Sequence, residues 1–435
     1  MLTVTGATRV LVDRSTQRTG DVLVDDAGRV VDAVAPGGES LDASGCVVTP
    51  GLVNAHHHLL QSAFRTLPGT RGVPMAQWLP TMAAAYTAAD LDPSLTGAAA
   101  GVGLAEALLS GVTTVADHHL TWPAGCSAEL AAGMAVATAG AARALGARLV
   151  FVHGSARNPA AEVATCASAV VSALLPGIVG GVSDDGLLQV AVGPAGVHSD
   201  ARETFDALAE LAARYGLRRR TQANEQVDVE VAAREYGRRP LELLAEWGWL
   251  APDVTLAHLC DVTPSEIADL AAAGVTATHA PGCDVPMGWG VAPVAALRAA
   301  GVTVGLGTSG GGSNDAGHLL ADARLALQVS ALVGPQLDAR DVLAMATSGS
   351  AAGLGRPELG HLRPGAAGDL CVWDVSGVFD AGVADPVAGL LWASPGRRPR
   401  HVVVGGRVVV RDYRLVTAEE AELVAALNAR LTSTV

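Results

Sequence analysis

The stretch PGLVNAHHHLLQ, residues 50–61, is the part of the sequence that decides the fold. The apolar run that follows Pro50 predicts a buried strand, and three histidines stand at its end. His56 and His58 are separated by one residue, so their side chains project from one face of a strand, where two imidazoles can share one cation. His57 projects from the opposite face. The spacing therefore favours His56 and His58 as a pair of metal ligands.

Similar strand-like runs recur along the chain and alternate with stretches rich in alanine and leucine that predict helices. This alternation is typical of repeated βα units around a parallel sheet. Eight such runs favour a closed (β/α)8 barrel, in which functional side chains lie at the carboxyl ends of the strands. The predicted strands are residues 47–54, 113–117, 148–155, 187–194, 217–224, 254–260, 275–281 and 302–310.

Histidines concentrate at the ends of these predicted strands. A lone histidine at a strand end is usually a hydrogen-bonded polar residue, and this is how we interpret His153 and His198. Convergence of many histidines on the edge that the barrel reserves for function instead indicates a functional site there. The histidines at or just beyond predicted strand ends are His56, His58, His118, His119, His153, His258 and His279.

Both ends of the chain predict short, valine-rich strands separated by turns. We therefore expect residues 1–50 and 365–420 to form one composite β-sandwich. Residues 51–364 are then the barrel, and residues 421–435 are a helical tail.

Composition excludes several classes of chemistry. Half of the 435 residues are apolar and 17% are charged, so the chain can bury a large core. The formal net charge of −14 argues against nucleic acid as a partner. All 29 basic residues are arginine, and the absence of lysine rules out Schiff-base chemistry, a phosphate-loop lysine and a carbamylated lysine that bridges two metals. Any metal site is therefore predicted to be mononuclear.

The sequence also bears on location. The N-terminus lacks the basic and apolar segments of an export signal, and the most apolar stretches are interrupted before they reach a membrane-spanning length of ~20 residues. The six cysteines are scattered and include no C-x-x-C pair, which is typical of free thiols in a reducing compartment. We expect a cytoplasmic protein with no membrane partner.

Six stretches of the chain together carry a resemblance to a known family. They are residues 50–65, 108–125, 251–264, 287–326, 346–374 and 402–412. The chain resembles the amidohydrolase superfamily in its cytosine-deaminase and chlorohydrolase-like branch, and it is similar to triazine hydrolases and 8-oxoguanine deaminases. The resemblance implies a distorted (β/α)8 barrel with a small β-sandwich built from both chain ends, a small nitrogen-heterocyclic substrate and a homodimer.

The resemblance also implies roles for individual residues. In this family two histidines of strand 1, a histidine of strand 5 and an aspartate of strand 8 hold one zinc or iron ion, and the strand-1 pair matches His56 and His58. A glutamate three residues after the strand-5 ligand shuttles protons and matches Glu225. A strand-6 histidine that assists the reacting water matches His258.

Two positions depart from the family pattern. Gln222 stands where the strand-5 histidine is expected, and Ser309 stands where the strand-8 aspartate is expected. Both are neutral oxygen donors, which zinc binds less well than imidazole or carboxylate, although similar triazine hydrolases also have a hydroxyl residue at the strand-8 position. Arg220 should face the same interior as Gln222, where its charge would repel a cation or hold an oxyanion. We assign Gln222 as a third metal ligand, and Ser309 and Arg220 as catalytic residues.

Other side chains are candidates for binding substrate. A planar ring can stack on tryptophans of the loops that follow the strands, and the polar groups near strands 1, 2 and 8 can contact the ring's edge. The predicted substrate-binding residues are Arg65, Trp78, His118, His119, Trp289 and Asn314.

Three functions remain open at this point. The first is a hydrolase that uses an activated water, one zinc or iron ion per chain, and Glu225 as proton shuttle. The second is a metal-independent enzyme that performs a non-hydrolytic ring opening, cyclisation or elimination. The third is a binding protein that retains the pocket without catalysis. Residues 307–311 also match the G-x-S-x-G pattern of a serine nucleophile, but the family resemblance already accounts for this loop.

Overall fold

A computed structural model describes residues 1–33 and 37–432. Residues 34–36, which belong to the predicted N-terminal half of the sandwich, and residues 433–435, the end of the predicted tail, lie outside the described residues. The N-terminal region consists of short strands in which buried and half-exposed positions alternate, as at Val22–Val24. These strands are β1 (Leu2–Thr5), β2 (Arg9–Leu11), β3 (Gln17–Arg18), β4 (Val22–Val24), β5 (Val30–Val31), β6 (Glu39–Asp42) and β7 (Cys46–Pro50).

The central sheet is parallel and curls back on its first strand, which confirms the predicted α/β barrel. Its strands are buried on both faces, because helices cover the outside and side chains fill the inside. They are β8 (Leu52–His58), β9 (Val112–His119), β10 (Arg148–Ser155), β11 (Leu188–Pro194), β12 (Arg218–Ala223), β13 (Val254–His258), β14 (Thr276–His279), β15 (Thr303–Leu306) and β16 (Ser309–Gly310).

The eighth barrel strand is divided, whereas the sequence predicted one continuous strand over residues 302–310. β15 pairs with β14, and β16 pairs with β8. Between them the Gly307 amide donates to the His279 carbonyl, and the Thr308 amide donates to the His56 carbonyl. The chain thus crosses from the seventh strand to the first, and this crossing closes the barrel.

Helices follow the strands and pack around the barrel. Helix termini agree with local chemistry, as at Pro264–Ala273, where Thr263 and Glu266 form a capping box and Gly274 ends the helix at a φ of 69°. No helix in residues 1–33 and 37–432 is long and apolar enough to cross a bilayer. The helices are α1 (Met75–Ala88), α2 (Pro93–Leu109), α3 (Ala128–Leu145), α4 (Ala160–Leu174), α5 (Arg202–Tyr215), α6 (Gln226–Tyr236), α7 (Pro240–Glu246), α8 (Pro264–Ala273), α9 (Pro281–Asp284), α10 (Val294–Ala299), α11 (Leu319–Val329), α12 (Ala339–Ala344), α13 (Ser350–Gly353), α14 (Pro386–Trp392) and α15 (Glu420–Thr432).

The two chain ends pack together beside the barrel, as expected for a composite sandwich. One sheet has the order β5-β4-β1-β6. The second sheet combines both chain ends in the order β20-β19-β18-β17-β7-β2-β3, and apolar side chains of both sheets, among them Val4 and Val403, share one core. Its C-terminal strands are β17 (Leu370–Asp374), β18 (His401–Val404), β19 (Arg407–Arg411) and β20 (Arg414–Leu415).

The sandwich leads directly into the barrel at Pro50 and Gly51. A Cβ atom at Gly51 would lie 2.3 Å from Oγ1 of Thr113, so only glycine allows β7 to pass this closely into β8. A buried ion pair reinforces the junction, because the Arg148 guanidinium on β10 contacts both carboxylate oxygens of Asp369, at 2.7 and 2.9 Å. Asp369 also accepts the backbone amide of Gly405 at 2.7 Å. Barrel and sandwich are therefore joined by charge as well as by apolar packing.

Asp369→Asn should lower the free energy of unfolding by ~3 kcal/mol or more, because it leaves the buried Arg148 guanidinium without its counter-charge. Urea denaturation followed by circular dichroism measures the change. The control is Glu210→Gln, which removes an exposed ion pair with Arg214 and should change stability by no more than ~0.5 kcal/mol. Equal effects of the two variants would contradict the proposed role of the junction pair.

Candidate functional site

The two histidines singled out by spacing lie together inside the barrel. The ring centroids of His56 and His58 are 4.8 Å apart, and both side chains are buried. His58 donates its Nδ1 proton to the carbonyl of His118 at 2.6 Å, which leaves its Nε2 lone pair free. His56 Nε2 has no hydrogen-bond partner in the described part of the chain. His57 points away and contacts Thr308 Oγ1 at 2.9 Å.

Burial keeps the strand-1 imidazoles neutral. It lowers the pKa of His58 to about 4 and the pKa of His56 well below the ordinary histidine value. Neutral imidazole is the form that binds metal. These two residues therefore have the chemistry of metal ligands, and the rest of the donor set decides whether an ion can be held.

Both the nitrogen and the oxygen of the Gln222 carboxamide have hydrogen-bond partners within the protein. Its Nε2 donates to the Ala195 carbonyl at 3.1 Å, and its Oε1 lies 3.2 Å from Nε2 of His258. His258 in turn donates from Nδ1 to Asp284 at 2.6 Å. Gln222 is thus one member of a hydrogen-bonded chain that runs from strand 5 to the loop after strand 7.

His258 and Glu225 form a buried pair of proton-handling groups. Glu225 Oε1 is 3.6 Å from His258 Nε2 and has no hydrogen-bond partner among the described residues. Burial raises the pKa of Glu225 above its ordinary value. Burial opposes protonation of His258, but the carboxylates of Asp284 and Glu225 outweigh it and raise the pKa of His258. Groups with shifted pKa values in contact with a cavity are typical of catalytic sites.

Arg220 lies on the floor of the site. Its side chain crosses the barrel from β12 and donates from Nη2 to the Ala55 carbonyl on β8, one residue before His56. The side chain is buried, and Nε and Nη1 have no partner within the described residues. Burial, together with the guanidinium of Arg218, lowers the pKa of Arg220 to about 9, so the group still carries a positive charge near neutral pH.

Ser309 and Asn314 belong to the loop that closes the barrel. Ser309 adopts a φ of 56°, a left-handed conformation that a serine rarely takes, and its hydroxyl lies 3.4 Å from that of Ser313. Asn314 is directed away from the cavity, because its amide donates to the Thr308 carbonyl and to Asp322. Asn314 therefore braces the loop that presents Ser309.

His118 and His119 project to opposite sides of β9. His118 faces the barrel interior, with its ring centroid 5.9 Å from that of His56 and its Nε2 donating to the Gly193 carbonyl at 2.8 Å. His119 instead packs on the rings of Trp122 and Phe151, with centroids 4.4 and 5.6 Å away. His118 therefore belongs to the imidazole cluster, whereas His119 is part of an aromatic stack beneath the cavity wall.

A cavity of about 280 Å³ opens above these groups at the carboxyl ends of the strands. The indole N–H of Trp78 is used by the Gly312 carbonyl, but that of Trp289 is buried and has no partner among the described residues. The predicted site residues that line the cavity are His58, Trp78, Gln222, Glu225, Trp289 and Ser309, together with Met82, Tyr86, Trp122, His198, Cys283 and Met287.

Arg65 is not among the residues that line this cavity. Its guanidinium forms an ion pair with Glu106 on α2 and is about one-third exposed. The sequence prediction that Arg65 contacts substrate has no geometric support, because this local pairing directs the side chain to the outside of the barrel.

Sequence reasoning missed two features of the cavity wall. His198, interpreted from sequence as an ordinary polar residue, lines the cavity and lies 3.1 Å from Oδ1 of the buried Asp228. Cys283 also lines the cavity, next to Asp284 in the loop after strand 7. Asp284 was also not predicted. Its contact with His258 joins residues 26 positions apart, and the only sequence signal for it was its position just after a predicted strand.

The residues at the family's metal position do not fit a zinc centre. Zinc ligands in proteins are imidazole, thiolate and carboxylate groups, whereas the residues that accompany His56 and His58 at this position, Gln222 and Ser309, offer a neutral carboxamide and a neutral hydroxyl. The charged Arg220 lies directly below, and two unit charges 4 Å apart repel by ~4 kcal/mol in a protein interior. Among the described residues, the group of potential ligand atoms within 4.8 Å of one another is instead His258, Cys283 and Asp284.

A closed parallel barrel with buried imidazoles and a carboxylate at the carboxyl ends of its strands is the architecture of a barrel enzyme. The family model described as "Amidohydrolase family" matches residues 47–409. The chain belongs to the amidohydrolase family.

Individual relatives agree with this assignment over nearly the whole chain. The 8-oxoguanine deaminase of Pseudomonas aeruginosa is 33% identical and covers 93% of each chain. A 5-methylthioadenosine/S-adenosylhomocysteine deaminase of Halobacterium salinarum is also 33% identical, over 92% of this chain and 91% of that protein. Among solved structures, the atrazine chlorohydrolase TrzN of Arthrobacter aurescens, complexed with zinc, superposes with a TM-score of 0.92 at 34% identity over 99% of this chain and 100% of that one.

Asp228→Asn should lower the free energy of unfolding by ~1–3 kcal/mol, because the carboxylate accepts the backbone amides of Asn224 and His198 and an amide group would oppose one of these donors. Thermal and urea unfolding measure the loss. Glu230→Gln, an exposed change on the same helix, is the control and should leave stability unaltered. A stable Asp228→Asn variant would show that Asp228 does not hold the loop between strand 5 and α6.

Proposed function

We propose that this protein hydrolyses a carbon–nitrogen bond of a small, planar nitrogen heterocycle and releases ammonia. The observation that carries the proposal is Glu225, a buried carboxyl that lines an aromatic cavity and whose Oε1 lies 3.6 Å from His258 Nε2 with no hydrogen-bond partner among the described residues. The names of the relatives agree with this class of substrate, because they include deaminases that act on purine and pterin rings.

The cavity suits a flat, uncharged ring. Its volume of about 280 Å³ lies at the small end of the range for ligand sites. Trp78, Trp122 and Trp289 supply faces for stacking, and Met82 and Met287 supply adaptable apolar contacts. Such a wall excludes water from most of the ring and leaves one edge toward Glu225.

The proton steps follow from the positions of Glu225 and His258. Glu225 takes a proton from a water molecule as the water oxygen bonds to the ring carbon that carries the amino group, and the π electrons of the ring C=N bond move onto the ring nitrogen. His258, oriented by Asp284 at 2.6 Å, retains its proton and stabilises the carboxylate and the adduct through Nε2. Glu225 then passes the proton to the amino nitrogen. The exocyclic carbon–nitrogen bond breaks, its electron pair leaves with the amine as ammonia, and the electron pair on the ring nitrogen restores the ring C=N bond.

No step of this proposal uses a metal. Of the ligands expected for the zinc or iron ion that the family resemblance implies, this chain retains His56 and His58. The other two positions, Gln222 and Ser309, do not complete a metal site. The predicted homodimer and the cytoplasmic location stay predictions of the sequence.

Glu225→Gln should lower kcat by ~10²–10⁴-fold with little change in KM, because it removes the proton carrier and preserves the shape of the cavity. Ammonia release from aminopurines, aminopterins and amino-substituted triazines, measured by a coupled assay, provides the readout. The wild-type enzyme should release ammonia from at least one of these classes.

Glu230→Gln is the matched control, since Glu230 is an exposed glutamate on the helix that begins after Glu225. It should leave kcat and KM unchanged. An unaltered kcat in Glu225→Gln would contradict the role assigned to Glu225. Binding of these rings by the wild-type protein without any ammonia release would favour the binding-protein interpretation instead.

A further inference from the structure

The charges inside the barrel are divided between two sides of the site. On the side of strand 1 lie the imidazoles of His56 and His58, and the Arg220 guanidinium reaches the backbone beside them through its hydrogen bond to the Ala55 carbonyl. On the side of strands 5 to 7, Glu225 and Asp284 are carboxylates in contact with His258. The family's metal position belongs to the first side, where Arg220 is the charged member of the three residues named.

Arg220 occupies this side because of the alternation of side chains along β12 and the length of its own side chain. It is two residues before Gln222 on β12, so both side chains enter the barrel. Its hydrogen bond to the Ala55 carbonyl carries the guanidinium across to β8, immediately below His56. A cation held between His56, His58 and Gln222 would therefore lie above the guanidinium, within the same low-permittivity interior.

We propose that Arg220 replaces the family's metal as the fixed positive charge of the site, and that the enzyme works without a bound metal. Its Nε and Nη1 groups are buried and have no hydrogen-bond partner among the described residues, so no protein acceptor there offsets their positive charge. A fixed cation stabilises negative charge that develops above it during addition of water. The same cation, with the neutral Gln222 and Ser309, excludes zinc from the position that the family uses.

The test measures zinc binding by the full-length chain and needs no substrate. Wild type, Arg220→Met, Gln222→His and the double variant are freed of metal by chelation and then dialysed against equal zinc. Zinc per chain is measured by plasma mass spectrometry, affinity by competition with a chromophoric chelator, and geometry by the visible spectrum after cobalt substitution. Thermal unfolding establishes that each variant is folded, and Arg220→Leu serves as a second uncharged replacement.

Wild type is expected to retain only a small fraction of one zinc per chain. The double variant should bind one zinc, at least ~100-fold more tightly than Gln222→His alone, because the nearby guanidinium is gone. The matched control is Arg219→Met combined with Gln222→His. Arg219 lies on the outer face of the same strand, paired with Asp253 and stacked on Trp249, so this control should bind no better than Gln222→His.

Two results would overturn the proposal. One is wild-type protein that binds one zinc as tightly as the double variant. The other is a zinc ion bound to the wild type that is lost in Cys283→Ser, which would place a metal at His258, Cys283 and Asp284 instead.

The proposed hydrolysis, on which this inference rests, can be tested independently of the zinc measurements. A substrate screen without ammonia release would contradict the proposed hydrolysis and leave the zinc measurements standing. Ammonia release that disappears with a chelator and returns with zinc would overturn the metal-free site and preserve the hydrolysis. Release that persists in the chelator, and falls in Arg220→Met without loss of thermal stability, supports both.

Discussion

A guanidinium without a counter-charge lies at the centre of this barrel, and the rest of the site is arranged around it. Arg220 is anchored by a backbone carbonyl of strand 1, it has no ion-pair partner among the described residues, and the guanidinium of Arg218 acts on it unfavourably. An unpaired buried charge destabilises the folded protein, so its presence is a sign of a functional role. The neutral carboxamide of Gln222 and the neutral hydroxyl of Ser309 are compatible with that charge, whereas a further cation is not.

The carboxylates lie on the far side of the site and are neutralised locally. Asp284 is in contact with His258, and the pKa of Asp284 is held at about 2 by that contact, although burial alone would raise it. His258 keeps its proton in return, so Glu225 faces a positive partner and not a second carboxylate. This pairing explains how a glutamate can remain buried, unpartnered at one oxygen and available to move a proton.

The sequence predicted the features that depend on periodicity. Strand parity placed His56, His58, Arg220 and Gln222 inside the barrel, and the alternation of strands and helices predicted the fold. Contacts that depend on loop paths were beyond such reasoning. The pairing of Arg65 with Glu106 joins residues separated by 41 positions, and no local pattern distinguishes it from a contact with substrate. His198 presented the same difficulty, because its importance comes from Asp228, 30 residues later.

Left-handed backbone conformations at three site residues are a feature that sequence periodicity does not reveal. His258 and Ser309 have φ angles of 76° and 56°, and Asn224, the residue before Glu225, has a φ of 55°. Left-handed conformations at these non-glycine residues cost free energy and persist where the surrounding structure demands them. They fall at the ends of strands 5, 6 and 8, which deliver the proton-handling groups and the hydroxyl to the cavity. His56 and His58 carry no such strain within the described chain. The left-handed conformations of Asn224 and His258, which position the acid–base pair, and the charge of Arg220 beside the strand-1 histidines both support the proposal that catalysis in this barrel relies on Glu225 and His258 and not on the family's metal position.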